Sequence, residues 1–510
     1  MGRLKTSTLT GMALVLMTLG AVTTTPAFAA ENCVRVIGDE QSGEKMSMDP
    51  AFQPTNDDAY HLFGVYNRFL NVDDNLDPVP ELATSWERSA DGKQWTFKLQ
   101  PGVKFHDGRD FGAKDVVYTF RRLIDPATAS PAAVLLDFLK PDGIEAVDPL
   151  TVRFTMDKPI ADLPLLLTLK FNLIVPEGTT TEQLKTTGIG TGPFMQEQFE
   201  VGNPERVLKK NPNYWRAGLP KADCIHISTL SEATTALAAI KSGQADLLFN
   251  VAATSVPALK DDKNIRLLQS GAGTSYTFSM QIDTPPFDKP QVRQALKAVI
   301  DRQAMVNIVM LGFAEPGNDN PVPPAWGSAY THDVPPQNIE KAKQLLTEAG
   351  YPNGIDIDLF TSEGIPGMVK FSEVFQQMAA QAGIRINLIN NPADSYWDEI
   401  WLKRPFYASG WSIRPPAEGL AVAYTKDAKW NETHWRRDDY DALLNQARTE
   451  LDPAKRTALY QQAQKMLAEE GGVIVPFFQH QVAAIRANCD GYTTRAQNFN
   501  VNYETISCKR

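Results

Sequence analysis

The sequence predicts an α/β protein built from two or three domains. Helical and strand patterns alternate along most of the chain, and the composition is ordinary for a globular α/β protein. A chain of 510 residues is long enough to bury more than one core. We find no internal repeat or low-complexity tract. Alternation of this kind is typical of layered α/β lobes.

Two predicted strands and one predicted helix illustrate the alternation. Residues 95–99 alternate apolar and polar side chains as a strand does, and Pro101-Gly102 follows as a turn. Residues 231–242 have a helical pattern that Gly243 ends, and a short strand is expected at residues 247–249.

Two amphipathic helices are expected further along the chain. Residues 291–310 place apolar side chains on one face and have Pro290 at their start. Residues 338–349 have Asn338 as a candidate N-cap and end before Gly350.

The first 29 residues have the layout of a secretory signal peptide. Arg3 and Lys5 precede an apolar run at residues 9–22, and Ala27-Phe28-Ala29 supplies an A-x-A cleavage site. A lipid anchor would need a cysteine at that site, and Cys33 follows residues that lack the small apolar character of such a signal. We therefore predict a periplasmic protein without a lipid anchor.

Net charge and hydropathy exclude several partners. The chain has a formal net charge of −10 and lacks a basic cluster, which makes nucleic acid and anionic lipid poor partners. The best later candidate for a membrane span, residues 163–175, is interrupted by Lys170 and Asn172.

Four cysteines lie after the predicted cleavage site: Cys33, Cys224, Cys489 and Cys508. An even number in an oxidising compartment predicts two disulfides, for which three pairings exist. Free, buried thiols remain the alternative. The spacings are too long for a zinc site.

Motifs of catalysis are absent from the sequence. The chain has no His-Glu-x-x-His, no Gly-x-Ser-x-Gly and no phosphate-binding loop that ends in Gly-Lys. Ser42-x-x-Lys45 matches part of a serine-acylase motif but lacks its downstream companions. We predict that the protein is not an enzyme and uses no metal or other cofactor.

A series of motifs then identifies a family. Residues 81–120 contain, in order, ELATSW, WTFKL, GVKFHDG and FGAKDVVYTF. GTGPF at 190–194, NPNYW at 211–215, VRQAL with IDR at 292–302, AKQLL with GYP at 342–352 and VPFF at 475–478 follow. This series closely resembles family 5 of the extracellular solute-binding proteins, the peptide- and nickel-binding receptors of ABC importers.

The resemblance implies a bilobal periplasmic-binding-protein fold, a clamp with an extra subdomain in its first lobe. The chain would cross between the lobes near residues 279–283 and 479–482. The expected parts are a signal peptide at 1–29, lobe I at 30–281 with a subdomain at about 60–188, lobe II at 282–479 and a return to lobe I at 480–510. The family fold also sets the strand beginning near Cys33 beside that beginning near Cys224, so the resemblance favours the pairs Cys33–Cys224 and Cys489–Cys508.

Most residues of the signature are expected to be structural. Asp107-Gly108 fits a tight turn. Trp95, Phe97 and Phe105 are expected in the core, and His106 is expected to be a core or surface histidine and not a metal ligand.

Residues 396–435 are rich in the aromatic and charged side chains that line ligand clefts. We expect Trp401 and Trp435 in the core of the second lobe. Trp411 matches the family's Gly-Trp segment, which turns into the cleft in peptide-binding members, and Trp397 is a further candidate contact.

The sequence departs from the family at both peptide anchors. Dipeptide-binding members carry an Asp three residues after that Trp, where this chain has Arg414. They also carry an Arg after a strand resembling residues 357–361, where this chain has Ser362 and Glu363. An Arg favours a carboxylate or phosphate, which it binds with two parallel hydrogen bonds.

Two hypotheses for Arg414 follow. In one, Arg414 anchors an anionic group of the ligand, Trp411 stacks on the ligand's body, and Glu363 takes the ammonium group of a peptide. In the other, Arg414 pairs internally with Glu418 or Asp394.

The predicted function is that of a monomeric receptor that delivers a peptide or peptide-sized nutrient to the permease subunits of an ABC importer. Its alternatives are the same role for an anionic conjugate, an oligosaccharide or a metal chelate, and, from another class, a periplasmic hydrolase or chaperone.

Overall fold

The structure, a computed structural model, describes residues 32–38, 46–53, 56–197, 199–230, 232–365, 367–497 and 500–509. The predicted signal peptide, residues 1–29, lies outside the described residues. No helix within these ranges combines the length and apolar character needed to cross a membrane.

Nineteen strands run through the described part of the chain. The strand predicted at residues 95–99 is confirmed as Gln94–Leu99, and Trp95, Phe97 and Leu99 are its buried side chains. The strand predicted at residues 247–249 is confirmed with two residues. In chain order the strands are β1 Cys33–Gly38, β2 Leu70–Val72, β3 Pro78–Pro80, β4 Ala83–Arg88, β5 Gln94–Leu99, β6 Ile144–Asp148, β7 Thr151–Thr155, β8 Phe194–Gln196, β9 Glu205–Lys210, β10 Cys224–Thr229, β11 Leu247–Leu248, β12 Ile265–Met280, β13 Ala314–Pro316, β14 Ile355–Ser362, β15 Ile384–Asn391, β16 Phe406–Trp411, β17 Val473–Arg486, β18 Cys489–Asp490 and β19 Ser507–Cys508.

Fourteen α-helices accompany these strands. The helix predicted at residues 338–349 is confirmed, and the Asn338 side chain accepts a hydrogen bond from the Lys341 N–H at its start. The helix predicted at residues 231–242 runs from Ala233 to Ser242 and is followed by Gly243, whose φ is +78°. The helices are α1 Asn56–Val65, α2 Ala113–Ile124, α3 Ala132–Leu135, α4 Leu163–Leu166, α5 Thr181–Thr187, α6 Ala233–Ser242, α7 Pro290–Ala298, α8 Arg302–Val309, α9 Ile339–Glu348, α10 Met368–Ala380, α11 Ala393–Glu399, α12 Pro416–Val422, α13 Asp438–Thr449 and α14 Pro453–Glu470.

The single helix predicted at residues 291–310 was wrong, because the structure divides it into α7 and α8. The backbone leaves helical geometry at Asp301, whose carboxylate accepts the Ala304 N–H at 2.9 Å and so begins α8. Val299 and Ile300 between the helices remain buried. The apolar pattern therefore continues across the break and conceals it.

Eleven strands form one sheet, in the order β15-β14-β16-β12-β17-β11-β1-β10-β9-β8, and β13 also pairs with β17. β1 is parallel to β10 and β11, and β14 is parallel to β15 and β16. The long strands β12 and β17 lie between these two parallel groups as an antiparallel pair. Two lobes with parallel strands are thus joined through a shared central pair.

The change from one lobe to the other occurs inside β12. Residues 265–269 pair with 482–486 of β17, the segment that also carries β11, whereas residues 275–280 pair with β16 on their other side. The pairing with β17 is irregular between Gln269 and Thr274. This change precedes the crossing predicted at residues 279–283, and Tyr276 and Phe278 already pack in the core of the second lobe.

Each lobe buries a core of its own. In the second lobe, α10 packs on β14 and β16, and α7, α8 and α9 contribute further side chains to the same core, which includes Leu359 and Phe375. In the first lobe, Tyr60 of α1 shares one buried core with Val36 of β1 and Ile227 of β10. Burial of apolar side chains on both sides of the central pair makes the fold bilobal.

A subdomain of the first lobe has its own small sheet, in the order β4-β5-β7-β6, covered by α2. Its core draws on residues 51–174 and contains Trp95, Phe97 and Phe105, as predicted. His106 is structural as well: its Nε2 lies 3.1 Å from the Gly192 carbonyl and its Nδ1 accepts the Gly190 N–H.

Gly190 and Gly192 have to be glycines. A Cβ at Gly190 would lie 2.1 Å from the Val65 carbonyl oxygen, and one at Gly192 would lie 2.4 Å from the Val65 carbonyl carbon. The GTGPF motif therefore allows this loop to pack directly on the last turn of α1 while it binds His106.

The subdomain also contacts the second lobe outside the β12–β17 pair. Asp162 pairs with Arg456 of α14 at 2.8 Å and accepts a hydrogen bond from the Tyr460 hydroxyl. The Ala161 N–H donates to the Arg448 carbonyl of α13. Burial raises the pKa of the Asp162 carboxyl, and the charge of Arg456 opposes that rise. We call these interactions the Asp162 contact.

Two disulfides join Cys33 to Cys224 and Cys489 to Cys508. Cys33 and Cys224 are register partners of the parallel strands β1 and β10, and Cys489 and Cys508 are partners of the hairpin formed by β18 and β19. Both bonds therefore lie in the first lobe.

We predict that the two disulfides stabilise the protein unequally. A cross-link restricts the unfolded chain more when it closes a longer loop, and the separations are 191 and 19 residues. The Cys33→Ser/Cys224→Ser variant should lose about 5 kcal/mol of unfolding free energy in urea, and Cys489→Ser/Cys508→Ser about 3 kcal/mol. The reverse order, or free thiols in the unreduced wild type, would contradict the assignment.

Candidate ligand-binding site

The predicted site segments meet where β14 and β16 end. These strands are parallel, with Phe360 beside Tyr407, so their carboxyl ends lie at the same edge of the sheet. The loop after β14 packs against the end of β16, because a Cβ on Gly410 would lie 3.0 Å from Ile365 Cδ1. The structure thus places Ser362 and Glu363, at the end of β14, near Trp411.

Arg414 forms an ion pair within the protein. Its Nη1 contacts the Glu418 carboxylate on α12, and its guanidinium carbon lies 5.4 Å from the centre of the Trp411 ring. About a quarter of the Arg414 side chain is exposed, and its Nε is buried without a hydrogen-bond partner among the described residues. The Glu418 contact is the internal pair that the sequence offered as an alternative to ligand binding.

Ser362 and Glu363 differ in what they can offer a ligand. Ser362 is fully buried, and its Oγ accepts the Gly364 N–H at 3.1 Å, which closes a tight turn. Glu363 is exposed and has no ion pair among the described residues. Only the second of these two side chains is accessible in this conformation.

A small cavity lies beside Arg414. Its volume of about 10 Å³ holds one water molecule at most. A larger depression of about 420 Å³ lies on β14 and β15, but its walls include the exposed Asp356–Arg385 ion pair and no aromatic side chain. We therefore take the smaller cavity as the site. It is lined by Gly273, Ser275, Pro321, Trp411, Ser412, Arg414, Gly419, Val422, Ala423 and Tyr424.

The first lobe packs against this region. Val72, Leu76 and Ala496 form a small apolar cluster with Ile413, which stands between Trp411 and Arg414 in sequence. The Ala496 carbonyl would lie 3.1 Å from a Cβ on Gly273, at the irregular part of β12. The candidate site is therefore lined by the second lobe and by the shared strand β12, and the first lobe contacts the second lobe next to it, at Ile413.

Glu432 holds the aromatic wall of the site and was not predicted from sequence. It is fully buried, and Oε1 accepts hydrogen bonds from Trp401 Nε1 at 2.7 Å and from Ser409 Oγ at 2.8 Å. Oε2 accepts from Trp411 Nε1 at 3.0 Å and from Ser279 Oγ at 2.9 Å. Burial raises the pKa of Glu432, whereas the four hydrogen bonds oppose that rise.

Four tryptophans form a continuous row at this wall. Ring centres are 6.1 Å apart for Trp411 and Trp430, 6.2 Å for Trp430 and Trp401, and 5.8 Å for Trp401 and Trp397. Trp430 and Trp397 are 43% and 40% exposed. Trp435 is buried as predicted, whereas Trp401, expected in the core, is only partly buried at its edge. We call Trp411, Trp430, Trp401 and Trp397 the tryptophan row.

Two groups of potential metal ligands lie close together in the described ranges. They are Cys33, Cys224 and His226, and Asp246, Cys489 and Cys508. Each group includes both sulfurs of a disulfide, which have no thiolate to donate to a metal ion. We assign no metal site to either group.

Comparison with known proteins agrees with this architecture. Residues 77–432 match the family model for bacterial extracellular solute-binding proteins, family 5. The glutathione-binding protein GsiB of Shigella dysenteriae is 30% identical over 94% of this chain and 95% of its own length.

Solved structures share the fold over nearly the whole chain. The periplasmic binding protein DppA of Helicobacter pylori, in complex with the peptide STSA, has a TM-score of 0.77 at 25% identity and covers 94% of this chain and 98% of its own. AgaA of A. tumefaciens R10, in complex with agropinic acid, has the same TM-score and identity and covers 94% and 99%. This chain belongs to family 5 of the bacterial extracellular solute-binding proteins.

Proposed function

We propose that this protein is the periplasmic receptor of an ABC importer, which captures a peptide-sized solute with an anionic group between its lobes. In this proposal the signal peptide directs export, the receptor acts as a monomer, and the permease subunits take the loaded, closed form. The ligand is released chemically unchanged.

The observation that carries the proposal is the position of Ile413. It packs on Val72, Leu76 and Ala496 of the opposite lobe, directly beside Trp411 and Arg414. The lobes therefore meet beside the candidate site. Because the remaining space is about 10 Å³, a peptide-sized ligand can enter only if the lobes separate.

Separation of the lobes is compatible with how they are joined. The connection runs through β12 and β17, and the irregular pairing between Gln269 and Thr274 is the part of that ladder with the weakest constraint. Ligand contacts to both lobes would then favour closure, as in other hinged binding proteins.

Arg414 supports an anionic ligand. It stands where dipeptide-binding members of the family carry an Asp, and its guanidinium is suited to a carboxylate. The named ligands of three relatives, glutathione, the peptide STSA and agropinic acid, span peptides and a non-peptide acid. A non-peptide anionic conjugate is therefore our second candidate, favoured by the change of charge at Arg414.

We predict that the mature protein is stabilised by a small, anionic, peptide-sized solute. Thermal unfolding against peptides, glutathione, opines, oligosaccharides and metal chelates provides the measurement. A ligand at a hundredfold excess over its dissociation constant should stabilise the fold by about 2.7 kcal/mol. A response to peptides supports peptide cargo, and a response to opines alone supports the second candidate. A response only to neutral sugars or to chelates would contradict an anionic cargo. Recovery of a hydrolysed ligand after incubation would contradict the proposed role as a receptor.

We predict opposite effects for the two members of the Arg414–Glu418 pair. Arg414→Ala should weaken binding of the identified ligand about tenfold or more, because it removes a charge-assisted hydrogen bond. Glu418→Gln should strengthen binding, since the guanidinium no longer pairs with a carboxylate. Arg385→Ala, at an exposed pair of the same lobe, is the matched control. Unchanged dissociation constants for both variants in calorimetric titration would make the pair purely internal.

A further inference from the structure

Glu432 is a buried carboxylate whose four hydrogen-bond donors are all neutral. They are two indole N–H groups and two serine hydroxyls, and Glu432 forms no ion pair among the described residues. Its negative charge is therefore stabilised by dipoles alone. A buried charge of this kind attracts a positive group to the nearest accessible surface.

The nearest accessible surface is the tryptophan row. Trp401 and Trp411 donate their N–H groups to Glu432, which fixes the orientation of both rings. Electron density shifts from an N–H donor toward its ring when the acceptor is an anion, so the ring faces become more negative. Indole faces are already the strongest cation–π acceptors among protein side chains.

Three basic side chains close to the row in sequence, Lys403, Arg404 and Arg414, already have partners, whereas the exposed Lys429 beside Trp430 has no ion pair or ring contact among the described residues. The guanidinium carbon of Arg404 lies 5.2 Å from the centre of the Phe360 ring, and the Lys403 ammonium donates to the Asp398 carbonyl. Arg414 pairs with Glu418, and its guanidinium lies over Trp411. One ring of the row thus already accepts an organic cation, and the exposed rings of Trp430 and Trp397 have none over them in the described part.

We propose that Glu432 and the tryptophan row form a subsite for an organic cation, an ammonium or guanidinium group of the ligand. The row begins at the candidate site and leads outward to Trp397, so a ligand held at Arg414 by its anionic group can place a cationic group over Trp430. The inference deepens the proposed function and rests on it for the identity of the ligand. It assigns the cationic group to the row and not to Glu363.

The positioning role belongs to Glu432, because it acts through the indoles that it holds. Glu432→Gln keeps the size of the side chain but removes the charge, and it places an amide donor against N–H and O–H donors. Trp430→Leu removes an exposed ring without opening the core, so this variant folds even if the first does not.

The test uses the mature protein labelled with 5-fluorotryptophan, with signals assigned through Trp→Phe variants. Tetramethylammonium chloride is the cationic probe, tert-butanol is the uncharged probe of similar shape, and sodium chloride controls for ionic strength. We expect tetramethylammonium, and not the controls, to shift the ¹⁹F signals of Trp430 and its neighbours. The apparent affinity for tetramethylammonium should fall about three- to tenfold in Glu432→Gln. In Trp430→Leu, the affinity read from the Trp411 and Trp401 signals should fall by a similar factor. Equal responses to both probes, or unchanged affinities in both variants, would overturn the subsite.

A second arm separates this inference from the proposed function. Binding of Ala-Lys and of Ala-norleucine is measured for the wild type and for Trp430→Leu. We expect the variant to lose about three- to tenfold in affinity for Ala-Lys only, whereas an equal loss for both peptides would overturn the subsite. If no solute of any class binds the wild type, the receptor function fails, and the tetramethylammonium titration still decides the subsite.

Discussion

The antiparallel pair of β12 and β17 is the constraint on which the rest of the structure depends. These strands have 16 and 14 residues, and the strand groups of both lobes attach to them. The first lobe fixes β17 through β11, and the second lobe fixes β12 through β16. The ladder is irregular where the lobes exchange partners, between Gln269 and Thr274, and shifts once more between Tyr276 and Phe278. A short irregular stretch in an otherwise regular ladder can absorb the rotation of two rigid lobes without unfolding either.

The same arrangement explains how a buried acid comes to lie behind the site. Glu432 reaches Ser279 of β12, Ser409 and Trp411 of β16, and Trp401 beyond α11, so it ties the shared strand to the aromatic wall. Removing one partner from a buried charged network typically costs about 3–5 kcal/mol. An apolar residue would stabilise the core at lower cost, but it would leave two indole N–H groups without an acceptor. Glu432 therefore makes the core less stable than an apolar residue would, but it fixes the positions of the tryptophan rings at the ligand surface.

The fold could be predicted from sequence because the family motifs have structural roles, which the structure explains. Gly190 and Gly192 permit close packing on α1, and His106 binds the loop that contains them. The break at Asp301 was missed because buried side chains continue through it, although an Asp before a helical segment is an N-cap signal. An internal ion pair between Arg414 and Glu418 was one of the two hypotheses that the sequence allowed for Arg414. Glu432 could not be found, because its donor Ser279 lies 153 residues away in sequence and its other donors lie 21 to 31 residues away, and only the folded sheet brings them together.

Closure of the two lobes over the ligand is the central claim, and the distance between the lobes tests it most directly. Spin labels at Ala146→Cys in the subdomain and Gln446→Cys on α13 lie on exposed positions, and the native cysteines are all in disulfides. Pulsed electron spin resonance should show a longer, broader distance distribution without ligand and a shorter, narrower one at saturation. Asp162→Asn, which removes the charge from the Asp162 contact, should shift the saturated sample back toward the longer distances. Identical distributions with and without the bound solute would contradict the hinged-receptor account.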